Sequence, residues 1–240
     1  HSYSDLVLWS WGDTAALAPN GTQLRTLGRR MAWFNQYDPQ PAVELYPTDG
    51  TTDDSMYGLL GVPAYTFELD DAFFQSCSSF EGDTLPKNIN ALRYSARALH
   101  APYLLPKGPD TVVVDANGAD LVEIGTAVDI SAQIDSSRFR QGNPAEPVYP
   151  IASVNAYLDQ LPWDAGASAL AMSAADGAFD SNSETATLSL NTTGWSSGRH
   201  FVHVQGVAAN TGQAGTPNAA YVDVAAAGDI ATLSGTVTAR

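Results

Sequence analysis

Hydrophobic and polar positions along the chain change their period about two fifths of the way in. Leu6 to Ser10 (LVLWS) is a short continuous apolar run and reads as a buried strand. From Thr22 to Phe34, apolar residues recur at helical spacing through Leu24, Leu27, Met31 and Phe34. Val43 to Tyr46 reads as another short strand. Asp53 and Asp54 precede SMYGLLG, a short helix with acids at its favourable end and Gly61 as its stop. Ala64 to Leu69 (AYTFEL) is a candidate central strand, and Pro86 opens a helix that runs to about Leu99. Strands alternating with helices predict an α/β layer structure.

Beyond Pro106 the period becomes two. DTVVVD, VDISAQID, SVNAYLD, ATLSLNT, RHFVHVQGV and AAYVDV are runs rich in Val, Thr and aromatics, separated by Gly, Asn, Asp and Ser. They predict an all-β, immunoglobulin-like sandwich of about seven strands. Pro106-Lys-Gly-Pro109 serves as a candidate linker. The expected units are residues 1–105 (α/β), 106–227 (sandwich), and 228–240, a linker leading into the first strand of a further β-domain.

Composition narrows the class. The chain has 240 residues, 44% hydrophobic and 15% charged, enough apolar side chain for a core and too few charges for long disordered runs. A formal charge of −15 repels phosphate backbones and argues against nucleic acid as a partner. No apolar run is long enough for a transmembrane helix. The chain begins at His1 with no visible signal peptide, and truncation is the favoured explanation. Cys77 is the only cysteine and reads as a buried free thiol or, in a secreted protein, as one that pairs with a cysteine in a segment outside this chain.

Three segments carry candidate chemistry. HSYSDLVLWSWG places His1 ahead of a strand, where one ring nitrogen can bind Zn²⁺. LYPTDGTTDDSMYG places Tyr46 ahead of a Gly/Thr loop and two aspartates at a helix start. The bland alternative is a surface loop capped by Asp53; the functional one is a tyrosine lid over a pocket with an acidic floor. YTFELD sets Glu68 between Phe67 and Leu69, where a carboxylate is costly unless paired or near a metal. It is either a structural ion pair or a catalytic base. His200 and His203 lie three apart on a strand and so face opposite sides, which argues against joint metal binding. DGAFDSNSE (Asp176 to Glu184) lacks the spacing of a calcium loop. Trp163 and Trp195 are expected in the sandwich core.

Taken in this order, the three segments resemble the zinc carboxypeptidase family, with Tyr46 and Glu68 separated by the family's 22 residues. The resemblance covers residues 1 to about 105. It implies the C-terminal portion of that family's α/β/α domain, and a secreted, periplasmic or extracellular metallopeptidase that acts on peptide or protein C-termini. It matches His1 to a zinc ligand and Glu68 to the catalytic glutamate. Ser2 and Tyr3 match residues lining the cleft, and Tyr46 the tyrosine that closes over bound substrate. Asp53 falls where the substrate's terminal side chain is read, with Thr48 and Thr66 lining the same pocket, which implies a leaning to Lys or Arg. Asp54 matches a residue that orders the loop. One Zn²⁺ ion is implied, with two further ligands expected in an upstream part, so the chain alone is expected to be inactive. The competing reading is a non-catalytic remnant whose β-sandwich is a binding module. The sequence leaves the oligomeric state open.

Overall fold

The computed structural model describes residues 3–116, 118, 121–139 and 145–230. The calls on His1, Ser2 and the strand expected within 231–240 therefore lie outside the described residues.

The α/β part opens with β1 (Leu6–Trp9), all four residues buried, as its apolar run predicts. Helix α1 (Gly21–Asn35) follows and buries Leu24, Leu27 and Met31. Strand β2 (Asp38–Pro41) comes next, and Ala42–Glu44 forms a 3₁₀ turn. The strand expected at Val43–Tyr46 therefore lies five residues earlier, in DPQP. Pro39 and Pro41 hold that segment extended but offer no N–H, so it can occupy only a sheet edge. Helix α2 (Thr52–Leu60) starts at an N-cap threonine, Thr51, whose hydroxyl accepts from Asp54 N–H at 3.3 Å. The cap is thus Thr51, and Asp53 lies inside the first turn. Gly61 ends the helix in the left-handed region, φ +67°, as its lack of a Cβ allows.

Strand β3 (Tyr65–Glu68) was expected to be central. The sheet order is β2-β1-β3, so β1 is central and β3 forms an edge among the described residues. β1 pairs parallel with β2 and antiparallel with β3, so the sheet is mixed. The helix expected from Pro86 to about Leu99 is α4 (Leu85–Ala98), with Pro86 in its first turn; α3 (Cys77–Ser79) and a π turn, Phe80–Thr84, lead into it. A proline at 86 removes a donor and would strike the carbonyl four residues back in a regular α-helix. The widened turn, in which Leu85 N–H reaches Phe80 O, accommodates it. Cys77 sits at the exposed start of this helix, so the expectation of a buried thiol is corrected.

Side chains alternate across the small sheet. Val7 joins a core with Leu27 and Met31 of α1 and Ala91 and Tyr94 of α4. Leu6 and Leu8 point the other way, towards Ala42 and Leu45. The α/β class thus holds as a mixed sheet with α1 and α4 on one face.

The second part consists of β4 (Asp110–Asp115), β5 (Leu121–Glu123), β6 (Ala127–Asp135), β7 (Ile151–Leu158), β8 (Leu170–Ala171), β9 (Ser173–Ala174), β10 (Ser183–Asn191), β11 (Gly198–Ala208) and β12 (Asn218–Ala225). They form two sheets, ordered β4-β6-β10-β9 and β5-β12-β11-β7-β8. All six expected runs are strands. The additional ones, β5, β8 and β9, are two or three residues long and too short to show a period. Alternate residues such as Val128, Ile130, Ile134, Val154, Val202 and Val222 make the core between the sheets. Trp195 packs against it, as expected. Trp163 does not: its ring stacks on His100 beyond the end of α4, centroids 4.3 Å apart.

The expected linker is packed. Leu105–Lys107 forms a 3₁₀ turn, and a Cβ on Gly108 would sit 2.5 Å from the backbone of Ala214. Around it the sandwich enters the helical part. Phe139 is buried among Trp33, Phe34 and Tyr94. Arg97 of α4 and Arg138 grip the fully buried Asp110 at 2.9 and 2.6 Å. Arg30 of α1 donates to Tyr94 Oη, Gly108 O and Glu146 Oε2.

Candidate active site

On the β1 face that carries Leu6 and Leu8, β3 contributes Thr66 and Glu68. The antiparallel register sets Leu8 opposite Thr66 and Leu6 opposite Glu68, so all four share that face. Above it, the chain from Ala42 to Asp53 folds back towards β1. Val43 N–H donates to Trp11 O at 3.0 Å and Thr48 N–H to Gly12 O at 2.8 Å. Asp54 Oδ2 accepts from Gly12 N–H at 2.8 Å, which ties the start of α2 to the end of β1. The ordering role expected of Asp54 thus has a physical form here. The Ser10–Trp11 peptide beside these contacts is cis.

Between loop and sheet lies a cavity of about 250 Å³, lined by Tyr46, Thr48, Asp53, Thr66 and Glu68 together with Leu8, Ala42, Leu45, Thr51 and Thr52. It brings together residues that the sequence places up to 60 positions apart, from Leu8 to Glu68. Asp53 and Glu68 are buried, whereas Tyr46 is 60% exposed at the rim. Burial pushes the Glu68 carboxyl above its ordinary value. Tyr3 is not among the lining residues; it lies exposed, its ring edge-on to Phe73 at 4.7 Å.

Sequence reading missed the apolar wall of the cavity, Leu8, Ala42 and Leu45. The signal for Leu8 was present in the strand period, since Leu6 and Leu8 must share a face. For Ala42 and Leu45 there was none, because the 3₁₀ turn that presents them replaces an expected strand.

Other candidate groups are engaged elsewhere. His200 is held between Asp159 Oδ2 at 2.5 Å and Ser196 O at 2.9 Å, with His203 on the opposite face of β11, so the pair forms no joint site. Glu184 Oε1 accepts from the N–H groups of Asp180 and Ser181 and so closes the loop before β10. Among the described residues no three His, Cys, Asp or Glu side chains converge as a metal site. A catalytic zinc takes three protein ligands, so the described residues do not by themselves assemble one. No helix among them is long and apolar enough to cross a membrane.

Fold and site together define a mixed α/β unit with a small carboxylate-bearing cavity, joined to a β-sandwich. Comparison with known proteins adds one informative likeness. A protein of Saccharothrix mutabilis subsp. capreolus named zinc carboxypeptidase is 43% identical over 75 residues, which span 29% of this chain and 17% of that protein. No family model matches the chain. Among solved structures, OgpA from Akkermansia muciniphila aligns with 48% of this chain and 26% of its own, at 13% identity and a TM-score of 0.29. The endo-beta-1,4-mannanase from Thermotoga petrophila aligns with 91% of this chain and 38% of its own, at 10% identity and a TM-score of 0.31. At such TM-scores neither likeness carries an argument.

Proposed function

We propose that this chain is part of a zinc-dependent metallocarboxypeptidase, with residues 1–105 as the C-terminal part of the catalytic domain and residues 106–227 as an appended sandwich. The observation that carries the reading is the shared cavity: the residues that the motifs single out, Tyr46, Thr48, Asp53, Thr66 and Glu68, line one wall-to-wall space. The partial identity to a zinc carboxypeptidase supports it.

In this reading His1 is one zinc ligand, and the other two come from outside the described residues. Zinc, when bound, would lower the pKa of a coordinated water to about 7 and polarise the scissile carbonyl. This chain's own residues then have separate tasks. Glu68, semi-isolated from bulk water and with a raised pKa, takes a proton and returns it to the leaving amine. Asp53, buried at the cavity floor, pairs with a cationic terminal side chain. Thr48 and Thr66 offer hydroxyls along its length. Tyr46, exposed at the rim, closes over the bound residue, whereas Tyr3, apart from the cavity, takes no part in this reading. An extracellular or periplasmic site of action accompanies this reading.

The test uses the polypeptide encoded by the gene that contains this chain. Peptides ending in Arg, Lys, Phe and Ala are incubated with it, with and without a chelator. Release of the terminal residue, lost on chelation and restored by zinc, is expected. Internal cleavage, or hydrolysis that survives chelation, would sink the reading. The 240-residue chain alone is expected to release nothing.

A further inference from the structure

Two residues beyond Glu68, the chain leaves β3 through a turn that the peptidase reading does not use. Asp70 stands there in the left-handed region, φ +61°, and Asp5, just before β1, stands in the same region at φ +53°. Neither is glycine, so each position carries backbone strain that its surroundings must hold in place. The two are bonded to each other. Asp70 O accepts Ser4 N–H at 2.8 Å and Asp5 N–H at 3.2 Å. Asp5 O in turn accepts Asp38 N–H at 2.8 Å, at the start of β2. One end of all three strands of the small sheet is therefore joined through Asp5, and Asp70 closes the β1–β3 side.

Asp70 is itself held by a buried polar network. Its N–H donates to Tyr37 Oη at 3.0 Å, its Oδ2 accepts the Thr84 hydroxyl at 2.6 Å, and its Oδ1 accepts Asp71 N–H at 2.8 Å. The Asn88 side-chain amide, on α4, donates to Tyr37 Oη at 3.0 Å and to Thr84 O at 2.8 Å. Asn88 Oδ1 accepts from the side chain of Asn35, the last residue of α1, at 3.1 Å. Asn35, Tyr37, Thr84 and Asn88 are all buried. Polar groups taken out of water together are costly unless their bonds are made, and once made those bonds specify one arrangement.

The geometry points to Asp70 as a positioning residue: it clamps the start of β1 to the Glu68 end of β3, and so fixes where Glu68 stands relative to the segment that leads from His1. Ser4 lies three residues after His1 and Asp70 two after Glu68, so little chain is left to absorb a shift at the clamp. A displacement of about 1 Å at reacting groups can cost about 10²-fold in rate. The clamp is more than a strand end. The β1–β3 ladder already pairs Leu6–Trp9 with Tyr65–Glu68 without it, yet strained residues stand on both of its sides and its support comes from both α1 and α4. Strain held in place by a buried network beside a candidate site is the mark of a position set for function. The catalytic consequence rests on the peptidase reading; the clamp does not.

Three variants separate these roles. Tyr37→Phe removes the acceptor of Asp70 N–H and keeps the ring. Asp70→Gly keeps the left-handed turn and removes the carboxylate, whereas Asp70→Asn keeps both the turn and an oxygen acceptor. In the 240-residue chain, amide hydrogen exchange at Ser4 and Asp5 should quicken about tenfold or more in Tyr37→Phe and Asp70→Gly. It should stay within about threefold of the parent in Asp70→Asn, with Val7 and Leu8 unchanged in all three. Circular dichroism checks that each variant is folded. In the gene's full polypeptide, Tyr37→Phe and Asp70→Gly should lower kcat roughly tenfold or more with KM within about twofold, and Asp70→Asn should restore it. A residue that only stabilised the fold would lower the melting temperature and leave the kcat of the folded enzyme as it was. Unchanged exchange in both variants overturns the clamp. Unchanged kcat in an active polypeptide overturns the positioning role. A parent polypeptide that releases no terminal residue overturns the peptidase reading and the kinetic consequence with it, while exchange at Ser4 and Asp5 still decides the clamp.

Discussion

Glu68 and Asp53 illustrate how differently two buried carboxylates can be held. Glu68 ends an edge strand against an apolar neighbour, and its pKa is raised by burial. Asp53 sits in the first turn of α2, where unpaired backbone N–H groups favour negative charge. Under the proposed mechanism Glu68→Gln removes the proton carrier and keeps the shape. We expect kcat/KM of the gene's full polypeptide to fall by roughly 10²–10⁴-fold, with thermal stability unchanged. Asp53→Ala should invert preference: release of C-terminal Arg drops about tenfold or more relative to Phe, read from paired kinetics. His200 gives a pH signature away from the site. Burial disfavours its charge, but the Ser196 carbonyl and the Asp159 carboxylate outweigh this and raise its pKa. The folded state thus holds the proton more tightly than the unfolded one. The resulting stability is fully present below pH ~6.5 and is lost as pH rises through the folded pKa. Urea melts should show a falling midpoint above about pH 6.5 in the parent chain, and a flatter profile in Asp159→Asn.

Elements record where proline and glycine override hydrophobic pattern. Pro39 and Pro41 move a strand onto the sheet edge, and Pro86 lies in the first turn of α4, directly after the π turn. The close approach of two backbones at the sandwich entry depends on Gly108 and Gly215. A Cβ on Gly215 would lie 1.6 Å from Pro109 O, with backbone rather than a flexible side chain in the way. Gly215→Ala must push β4's lead-in away from the β11–β12 loop. We expect a loss of about 1–3 kcal/mol or more, read from chemical denaturation, against a negligible change for Gly82→Ala, where an added Cβ meets nothing within 4 Å. Pattern alone located every long strand of the sandwich, because alternation over eight or more residues leaves one face to bury.

The whole molecule is bound together more tightly than a two-unit reading implies. Asp110 is wholly buried between Arg97 and Arg138, and Phe139 completes the core against α1 and α4. A sandwich excised at residue 109 would leave Phe139 bare and Asp110 without Arg97. These contacts tie the stability of the sandwich to the helical part. A fragment of residues 109–227 should melt lower than the same region in the full chain and bind a hydrophobic dye. Asp110→Ala, which removes the buried carboxylate shared by Arg97 and Arg138, should cost about 3–5 kcal/mol and shift the unfolding of both parts together. Two separate transitions, with only one moved, would refute this coupling.

Periodicity and motif order in the sequence determined which segments form β1, α1, α4 and the long sandwich strands. They also singled out Tyr46, Thr48, Asp53, Thr66 and Glu68 as candidates. These are local properties: alternation, helical spacing and residue type act within a few positions of one another. Only tertiary structure decided that those candidates share one cavity, that β1 rather than β3 is central, and that the linker is clamped by Arg30, Arg97 and Arg138. It also decided that Tyr3 stands apart from the cavity, beside Phe73, and that Asp70 joins the start of β1 to the end of β3. Such relations depend on register and on which surfaces meet across long sequence separations, where burial and charge pairing act only once the chain has closed on itself.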